Sequence, residues 1–351
     1  MKENNPFYLN FGLKPENYIE RLKQSEEICS AFENETNTQN TYMISGVRGS
    51  GKTVLLSHIE SYFDAKSEWI CIELVSNMDM LEQLASKLYD SDKMKLLFSK
   101  KSFSFSFSGL SFKIEGEKPI SNIVSLLEKL LEHINSAKKK VLICVDEVVK
   151  NEFVSTFCQV FQLLLRKNYP IYLLMTGLYQ NVYDLQNEKS LTFLYRSPKI
   201  IIEPLNLVAI SNSYKKIFNI DESTANNLAK MTKGYAYAYQ VLGYLLWEQG
   251  NAIINDGIIT KFDQNLYEYV YEKIWAELSL NDKKFLSAFE QNDNMEISKI
   301  LVITGFDKKT ASVYRDRLIK KGILKNSGYG KLDIILPRFK EFIKNITFFK
   351  D

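Results

Sequence analysis

Residues 43–56 read MISGVRGSGKTVLL, and within them Gly46–Thr53, GVRGSGKT, meets every fixed position of the pattern G-x-x-x-x-G-K-[ST]. The residues just before, Thr41–Ser45 (TYMIS), are β-branched and aromatic and predict a buried strand. The residues just after, VLLSHIESYF, space Leu55, Ile59, Tyr62 and Phe63 as a helix does. Strand, glycine loop and helix follow in the order that a phosphate-cradling loop requires. Gly46, Gly49 and Gly51 let the backbone turn its N–H groups toward phosphate oxygens, and the helix start adds its positive end. The expected nucleotide loop is therefore Gly46, Val47, Arg48, Gly49, Ser50, Gly51, Lys52 and Thr53. Lys52 is placed to reach the β- and γ-phosphates, and the Thr53 hydroxyl to ligate Mg²⁺. A glycine turn without a ligand is the alternative; the flanking strand and helix weigh against it.

Such a site needs a second half, a buried strand that ends in an acid. KKKVLICVDEVV supplies it: Val141–Val145 are apolar, and Asp146 and Glu147 stand at the end. Asp146 is expected to hold the metal through water, and Glu147 to act as general base on the attacking water. Adjacent acids, together with the absence of any N-K-x-D, favour ATP hydrolysis over a GTP switch. A third strand, PIYLLMTGL (Pro170–Leu178), carries Thr176 near its end. That hydroxyl either contacts the γ-phosphate or the attacking water, or simply caps the strand. Arg196, in LTFLYRSPKIIIEPL, precedes a further apolar run. It either reaches a γ-phosphate, in its own or a neighbouring subunit, or is a surface arginine beside Glu203.

These residues together resemble AAA+ P-loop ATPases of the origin-initiator and archaeal-ATPase type, related to the signal-transduction ATPases with numerous domains (STAND). The resemblance spans nearly the whole chain. NPFYLNFGLKPENYIERLKQSEEI is similar to the family's N-terminal element and adenine-side box, which implies a nucleotide role for Arg21; Glu20 stands where the family has glycine. TGL and YRSPKIIIEPL are similar to its sensor-one strand and its arginine-before-strand segment. KGYAYAYQVLGYLLWEQ (Lys233–Gln249) resembles its lid helix, but Gln240 follows Ala236–Tyr239 where relatives often carry a sensor-two arginine, and Ala236 stands where some have proline.

The implied fold class is α/β, a P-loop NTPase core with a parallel sheet, followed by a helical lid and a C-terminal winged helix. The expected boundaries are 1–204 for the ATPase core, 205–278 for the lid and 279–351 for the winged helix. Within the core, KKSFSFSFSGLSFKIEGEKP, about 100–116, alternates phenylalanine with serine through Phe103, Phe105 and Phe107. It predicts a hairpin turning at Ser108–Gly109, whose aromatics cover the protein's own core or meet a partner. After Pro204 the periodicity is helical, and four lid helices are expected. Tyr235, Tyr237, Tyr239 and Tyr244 read as core; Phe262, Leu266, Tyr269, Val270 and Ile274 form a stripe that would pack the last helix inward.

In the tail, SLNDKKFLSAFEQ opens with a Ser-x-x-Asp cap pattern, MEISKILVI reads as a second helix and DKKTASVYRDRLIKKG as a third across a TGF turn. ILKNSGYGKLDIILP then reads as two strands about a turn, a wing. A winged helix that reads DNA would present Lys308, Lys309, Thr310, Ser312 and Arg315 from the third helix, and Lys331 from the wing. Winged helices also dock proteins, so duplex DNA and a protein partner or second copy both stand as candidate partners.

Composition sets the remaining bounds. Of 351 residues, 45% are hydrophobic and 25% charged, as in an ordinary globular chain, and the net charge is +3. That charge is uneven: residues 279–351 carry 15 Lys/Arg against 9 Asp/Glu, and the rest 30 against 33. No apolar run is long enough to cross a bilayer, and the start, MKENNPFYLNFG, lacks the apolar stretch of a secretion signal. Four cysteines without CxxC spacing predict free thiols in a reducing compartment, hence a cytoplasmic protein, and two histidines make a histidine-rich metal site implausible. The expected activity is an ATP-driven switch, DNA-associated or, alternatively, a sensor that binds proteins in regulation or defence. A P-loop kinase has little support, since the adjacent Asp146–Glu147 pair and the lid resemblance both point elsewhere.

Overall fold

The computed structural model describes residues 4–9, 17–34, 39–93, 105–107, 110–112 and 122–348. Two compact units account for the chain: Leu22–Ser45 with Leu55–Ile201, and Met1–Arg21 with Gly46–Val54 and Ile202–Asp351.

The first of these is a three-layer α/β unit. Its sheet holds β1 (Thr41–Ser45), β2 (Trp69–Leu74), β5 (Lys140–Val145), β6 (Ile171–Gly177) and β7 (Lys199–Ile201) in the order β2-β5-β6-β1-β7. Every pairing is parallel. Ser45 pairs with Gly177 and Ile201, and Val145 with Leu74 and Met175, so the carboxyl ends share one edge. The central strands are buried along their length because helices cover both faces, which is why they read as apolar runs rather than alternations. On one face pack Leu84 and Leu88 of helix Met80–Asp90, Leu127 and Leu131 of helix Ile123–Ser136, and Phe157 and Phe161 of helix Glu152–Arg166. On the other, Phe32, Phe63, Trp69 and Tyr172 meet in an aromatic cluster. The Phe-rich passage forms the antiparallel pair β3 (Phe105–Phe107) and β4 (Leu110–Phe112). Its turn at Ser108–Gly109 lies outside the described residues.

The second unit is mainly helical. Helices Leu207–Phe218, Glu222–Thr232, Ala236–Gln249 and Asp256–Leu266 share one core, in which Tyr214, Tyr239 and Phe262 are fully buried. Phe7 belongs to the same core and is so closely seated that a Cβ on Gly243 would fall 2.3 Å from its ring. Tyr235, Tyr237 and Tyr239 are buried as the apolar helix predicts, but the stripe on the following helix is corrected in one place. Phe262, Leu266, Val270 and Ile274 are buried, whereas Tyr269 is 52% exposed. A π-helical turn at Tyr267–Tyr271 carries the chain on from Leu266, and the four buried residues recur every fourth position, which leaves Tyr269 on the outside.

The tail comprises helices Leu280–Ser287, Ile297–Thr304, Lys308–Lys320 and Phe339–Phe348 and a three-stranded antiparallel sheet in the order β8-β10-β9. Here β8 is Asn294–Glu296, β9 Leu324–Asn326 and β10 Lys331–Ile334. The segment MEISKILVI is thus not all helix: Met295 and Glu296 pair with β10 before the helix starts at Ile297. The expected cap at Ser279 and Asp282 is a reciprocal capping box. No helix among the described residues is long and apolar enough to cross a membrane.

Candidate nucleotide site

The glycine loop is built outward from its carbonyls. Val47 O accepts from Ser50 N–H and from Lys52 Nζ, each at 3.2 Å. Arg48 O accepts the Tyr235 hydroxyl at 2.5 Å, Gly49 O the Tyr237 N–H at 3.1 Å, and Ser50 O the Arg21 Nη2 at 2.8 Å. With four successive carbonyls committed, the backbone groups the loop offers a ligand are N–H donors, the polarity that phosphate oxygens need. Gly49 and Gly51 adopt φ of +72° and +92°, which admit glycine readily and other residues poorly. A Cβ on Gly49 would also sit 2.3 Å from the Tyr235 hydroxyl.

Two buried polar atoms of the loop lack any hydrogen-bond partner, Ser50 Oγ and Arg48 Nε. An unpaired buried donor costs about 1–3 kcal/mol and calls for an explanation. A ligand rich in acceptor oxygens supplies one, so the loop fits the phosphates of a nucleotide. Lys52, the first residue of helix Lys52–Asp64, is only 8% exposed. Thr53 follows it, half-buried.

Arg21 braces the loop from the N-terminal segment, donating to the carbonyls of Glu203 and Ser50. Burial lowers its pKa to about 10, opposed by the charge of Glu203, so it stays cationic at neutral pH. Tyr235 is buried too, which drives its phenol well above the ordinary value, beyond the opposing pull of Arg48. Gln240 is committed to the N-terminal segment. Its Oε1 accepts from Tyr8 N–H at 3.0 Å and its Nε2 donates to Asn17 O at 2.9 Å.

In the α/β unit, the acidic end of β5 is pinned to the end of β6. Thr176 is fully buried and donates its hydroxyl proton to Asp146 Oδ1. Glu147 N–H points to Asp146 Oδ1 at 3.0 Å and Thr176 Oγ1 at 3.3 Å, and Val148 N–H donates to Thr176 O at 2.8 Å. Glu147 itself takes a left-handed φ of +49° and is exposed. For a residue with a Cβ that conformation costs about 1–2 kcal/mol, and the bonds around Thr176 hold it in place. Asp146, Glu147 and Thr176 are thus brought together, with Thr176 supporting the acid. Arg196 ends the short helix Thr192–Arg196 and is exposed. Among the described residues no group of three or more His, Cys, Asp or Glu is arranged to hold a metal. A Mg²⁺ carried by nucleotide phosphates asks for fewer, such as one hydroxyl and one acid.

The tail residues expected at DNA divide sharply. Lys308, Lys309 and Lys331 are exposed. Thr310 is tied to the helix cap, its N–H and hydroxyl both donating to Asp307. Arg315 pairs with Asp316 at 2.8 Å and contacts Ser312 Oγ at 3.3 Å. Sequence reasoning missed Tyr235, Tyr237 and Glu277 as partners of the loop. The Arg48 Nη2–Glu277 Oε1 pair, at 2.8 Å, has no signal in local spacing, since 229 residues separate its members.

Comparison with known proteins agrees with this architecture. Residues 268–343 match a domain of unknown function (DUF8462). No curated protein matches the chain. Among solved structures, a Walker-type ATPase of Pyrococcus abyssi is similar with TM-score 0.65 and 14% identity, covering 94% of this chain and 97% of that one. The Aeropyrum pernix ORC2 protein, solved as ADPNP–ADP complexes, gives 0.60 and 11%, with 97% of each chain covered. Cdc6p from Pyrobaculum aerophilum gives 0.51 and 15%, covering 96% of this chain and 95% of that one. The chain has the fold of AAA+ P-loop ATPases of the origin-initiator type.

Proposed function

We propose that this protein is an ATP-binding and hydrolysing switch whose nucleotide state sets the disposition of its C-terminal residues. The observation that carries the reading is the loop Gly46–Thr53, with its carbonyls tied back and Ser50 Oγ and Arg48 Nε buried without partners. The loop N–H groups and Lys52 hold the phosphates, and Arg21 braces the loop. Thr53 and Asp146 hold the Mg²⁺ that accompanies the nucleotide. Glu147 takes a proton from the attacking water as the water oxygen bonds to the γ-phosphorus. The bond from that phosphorus to the bridging oxygen breaks, and its electrons leave on ADP. Arg196, exposed at a helix end, is assigned to charge stabilisation on the γ-phosphate. We read the protein as cytoplasmic, on its free cysteines.

The tail, with its helices Leu280–Ser287, Ile297–Thr304 and Lys308–Lys320, the β9–β10 hairpin and the closing helix Phe339–Phe348, is read as a winged helix that contacts duplex DNA. Lys308, Lys309 and Lys331 support this as phosphate contacts, which supply affinity rather than sequence reading. A second reading, protein docking in a STAND-like sensor, is favoured by exposed apolar side chains in the same helices: Val302 at 84%, Ile303 at 56% and Val313 at 57%. Anisotropy of labelled duplex DNA, at two salt concentrations and in the apo, ADP and non-hydrolysable-ATP states, separates them. Binding that weakens with salt and varies with nucleotide supports the first; no binding by protein that binds ATP supports the second. Phosphate release should be lost in Glu147→Gln while ATP binding persists.

A further inference from the structure

Three consecutive loop residues are gripped by three separate parts of the helical unit. Val47 lies against Gly322, where a Cβ would stand 3.6 Å from both Val47 Cβ and Val47 N. Arg48 sends Nη2 to Glu277. Gly49 meets Tyr235 and Tyr237. Glu277 and Gly322 both belong to the matched segment 268–343, Gly322 in the turn that follows helix Lys308–Lys320. The phosphate loop therefore lies beside the turn that follows the helix carrying Lys308 and Lys309, at the end opposite those lysines.

Arg48 is the one arginine of the loop, and a single hydrogen bond, to Glu277, holds its guanidinium. One side-chain nitrogen is bound to a carboxylate, while Nε is buried and unpaired. A guanidinium in that position has a better partner available in a phosphate, which carries more charge and accepts two parallel N–H bonds. Glu277 offers one contact from a side chain 44% exposed, so the existing pair is weak enough to be exchanged.

We infer that the Arg48–Glu277 pair is a nucleotide-sensing latch between the phosphate loop and the segment 268–343. The inference rests on the nucleotide reading above. The terminal phosphate of a bound nucleoside triphosphate draws the Arg48 guanidinium off Glu277, and the segment is released from the loop. A diphosphate, lacking that group, leaves the pair closed. Glu277 thereby competes with the nucleotide, and removing its charge favours the triphosphate.

The test is hydrogen exchange of peptides around 277 and 308–322 in the full chain, with fluorescent ATP- and ADP-analogue binding on the same samples. In wild type, exchange should rise with a non-hydrolysable ATP analogue and stay low with ADP. Glu277→Gln should show the raised exchange without nucleotide and bind the ATP analogue about two- to five-fold more tightly, the range expected for a half-exposed pair. Glu277→Asp should restore part of the wild-type behaviour. If wild type and Glu277→Gln bind ATP equally and exchange alike in every state, the latch is wrong and the nucleotide site stands. Weaker ATP binding in Glu277→Gln also overturns the latch, since Glu277 would then merely support the loop. Wild-type protein that binds no nucleotide at all overturns both.

Discussion

The loop Gly46–Thr53 and the helix Lys308–Lys320 are both polar, both cationic and both part of the same unit, yet their polar atoms are used differently. In the helix they are largely spent. Arg317 is bound to Asp282, Arg315 to Asp316, and Thr310 to Asp307. In the loop the carbonyls are spent on neighbours, but Ser50 Oγ and Arg48 Nε are buried and left over. Spent groups hold a fold together. Buried groups left unspent beside glycines held at left-handed φ call for an explanation, and a ligand with acceptor oxygens supplies one. The difference separates the loop's buried, unspent groups from the helix groups that hold the fold, while Lys308 and Lys309 stay exposed at the helix start.

The comparison is sharpest at Asp282. It is 1% exposed and sits between Arg317 Nη2 at 2.6 Å and Lys321 Nζ at 3.7 Å. Asp282→Asn removes the buried charge that Arg317, Lys321 and the Ser279 cap all face, so it should lower unfolding free energy by about 1–2 kcal/mol. Denaturant titration measures it, and nucleotide affinity at low denaturant should not change. A variant that kept its stability would show that the helix is not committed to structure in the way described.

Gly49→Ala strikes the loop instead. The new Cβ meets the Tyr235 hydroxyl and a φ of +72°, so ATP binding should fall by about tenfold or more, corresponding to a strain of about 1–2 kcal/mol. Tyr235→Phe in the same chain should recover part of the loss by removing the clashing oxygen; no recovery would place the whole cost in the backbone.

Ser50→Ala is smaller and more telling. Deleting an unsatisfied buried hydroxyl should leave the apo protein about 1 kcal/mol more stable, yet weaken nucleotide binding. A thermal melt with and without ATP reads both signs. If the substitution destabilised the apo protein, Ser50 would have a structural partner and the contrast with the helix would fail.

The smallest effect tests buried groups that belong to neither class. Burial pushes the thiols of Cys29, Cys71 and Cys158 up to about 12 from an ordinary 9.0. The unfolded chain then releases thiol protons near pH 9 while the folded chain retains them, so stability declines as pH rises through that range. The decline between pH 8 and 9 should be on the order of 1 kcal/mol over the three thiols, seen as a falling Tm. Saturating nucleotide should not alter thiol labelling rates, because all three cysteines belong to the α/β unit and the loop to the other.

How much of this was written in the chain varies with the range of the interaction. GVRGSGKT and the flanking strand and helix carry local signals, as do the apolar strands and the DE pair, because each depends on neighbours within a few residues. The capping box at Ser279 is equally local. What could not be read depends on distant partners. Nothing near Gln240 announces that it clasps Tyr8 and Asn17, and nothing near Arg48 points to Glu277. Tyr269 fits the helical stripe by sequence and misses it in space because a π-helical turn intervenes. Met295 and Glu296 are strand because β10 lies beside them, against a helical pattern of their own.

The most direct test of the central claim is titration calorimetry of ATP, with Mg²⁺, into the wild-type chain and into Lys52→Ala. Lys52 is the buried cation of the loop, its Nζ held at 3.2 Å from Val47 O. The account predicts saturable one-site binding to wild type and loss of at least about a hundredfold in a folded Lys52→Ala protein, the scale of a charge-assisted phosphate contact. Equal binding by both proteins, or none by either, would contradict it.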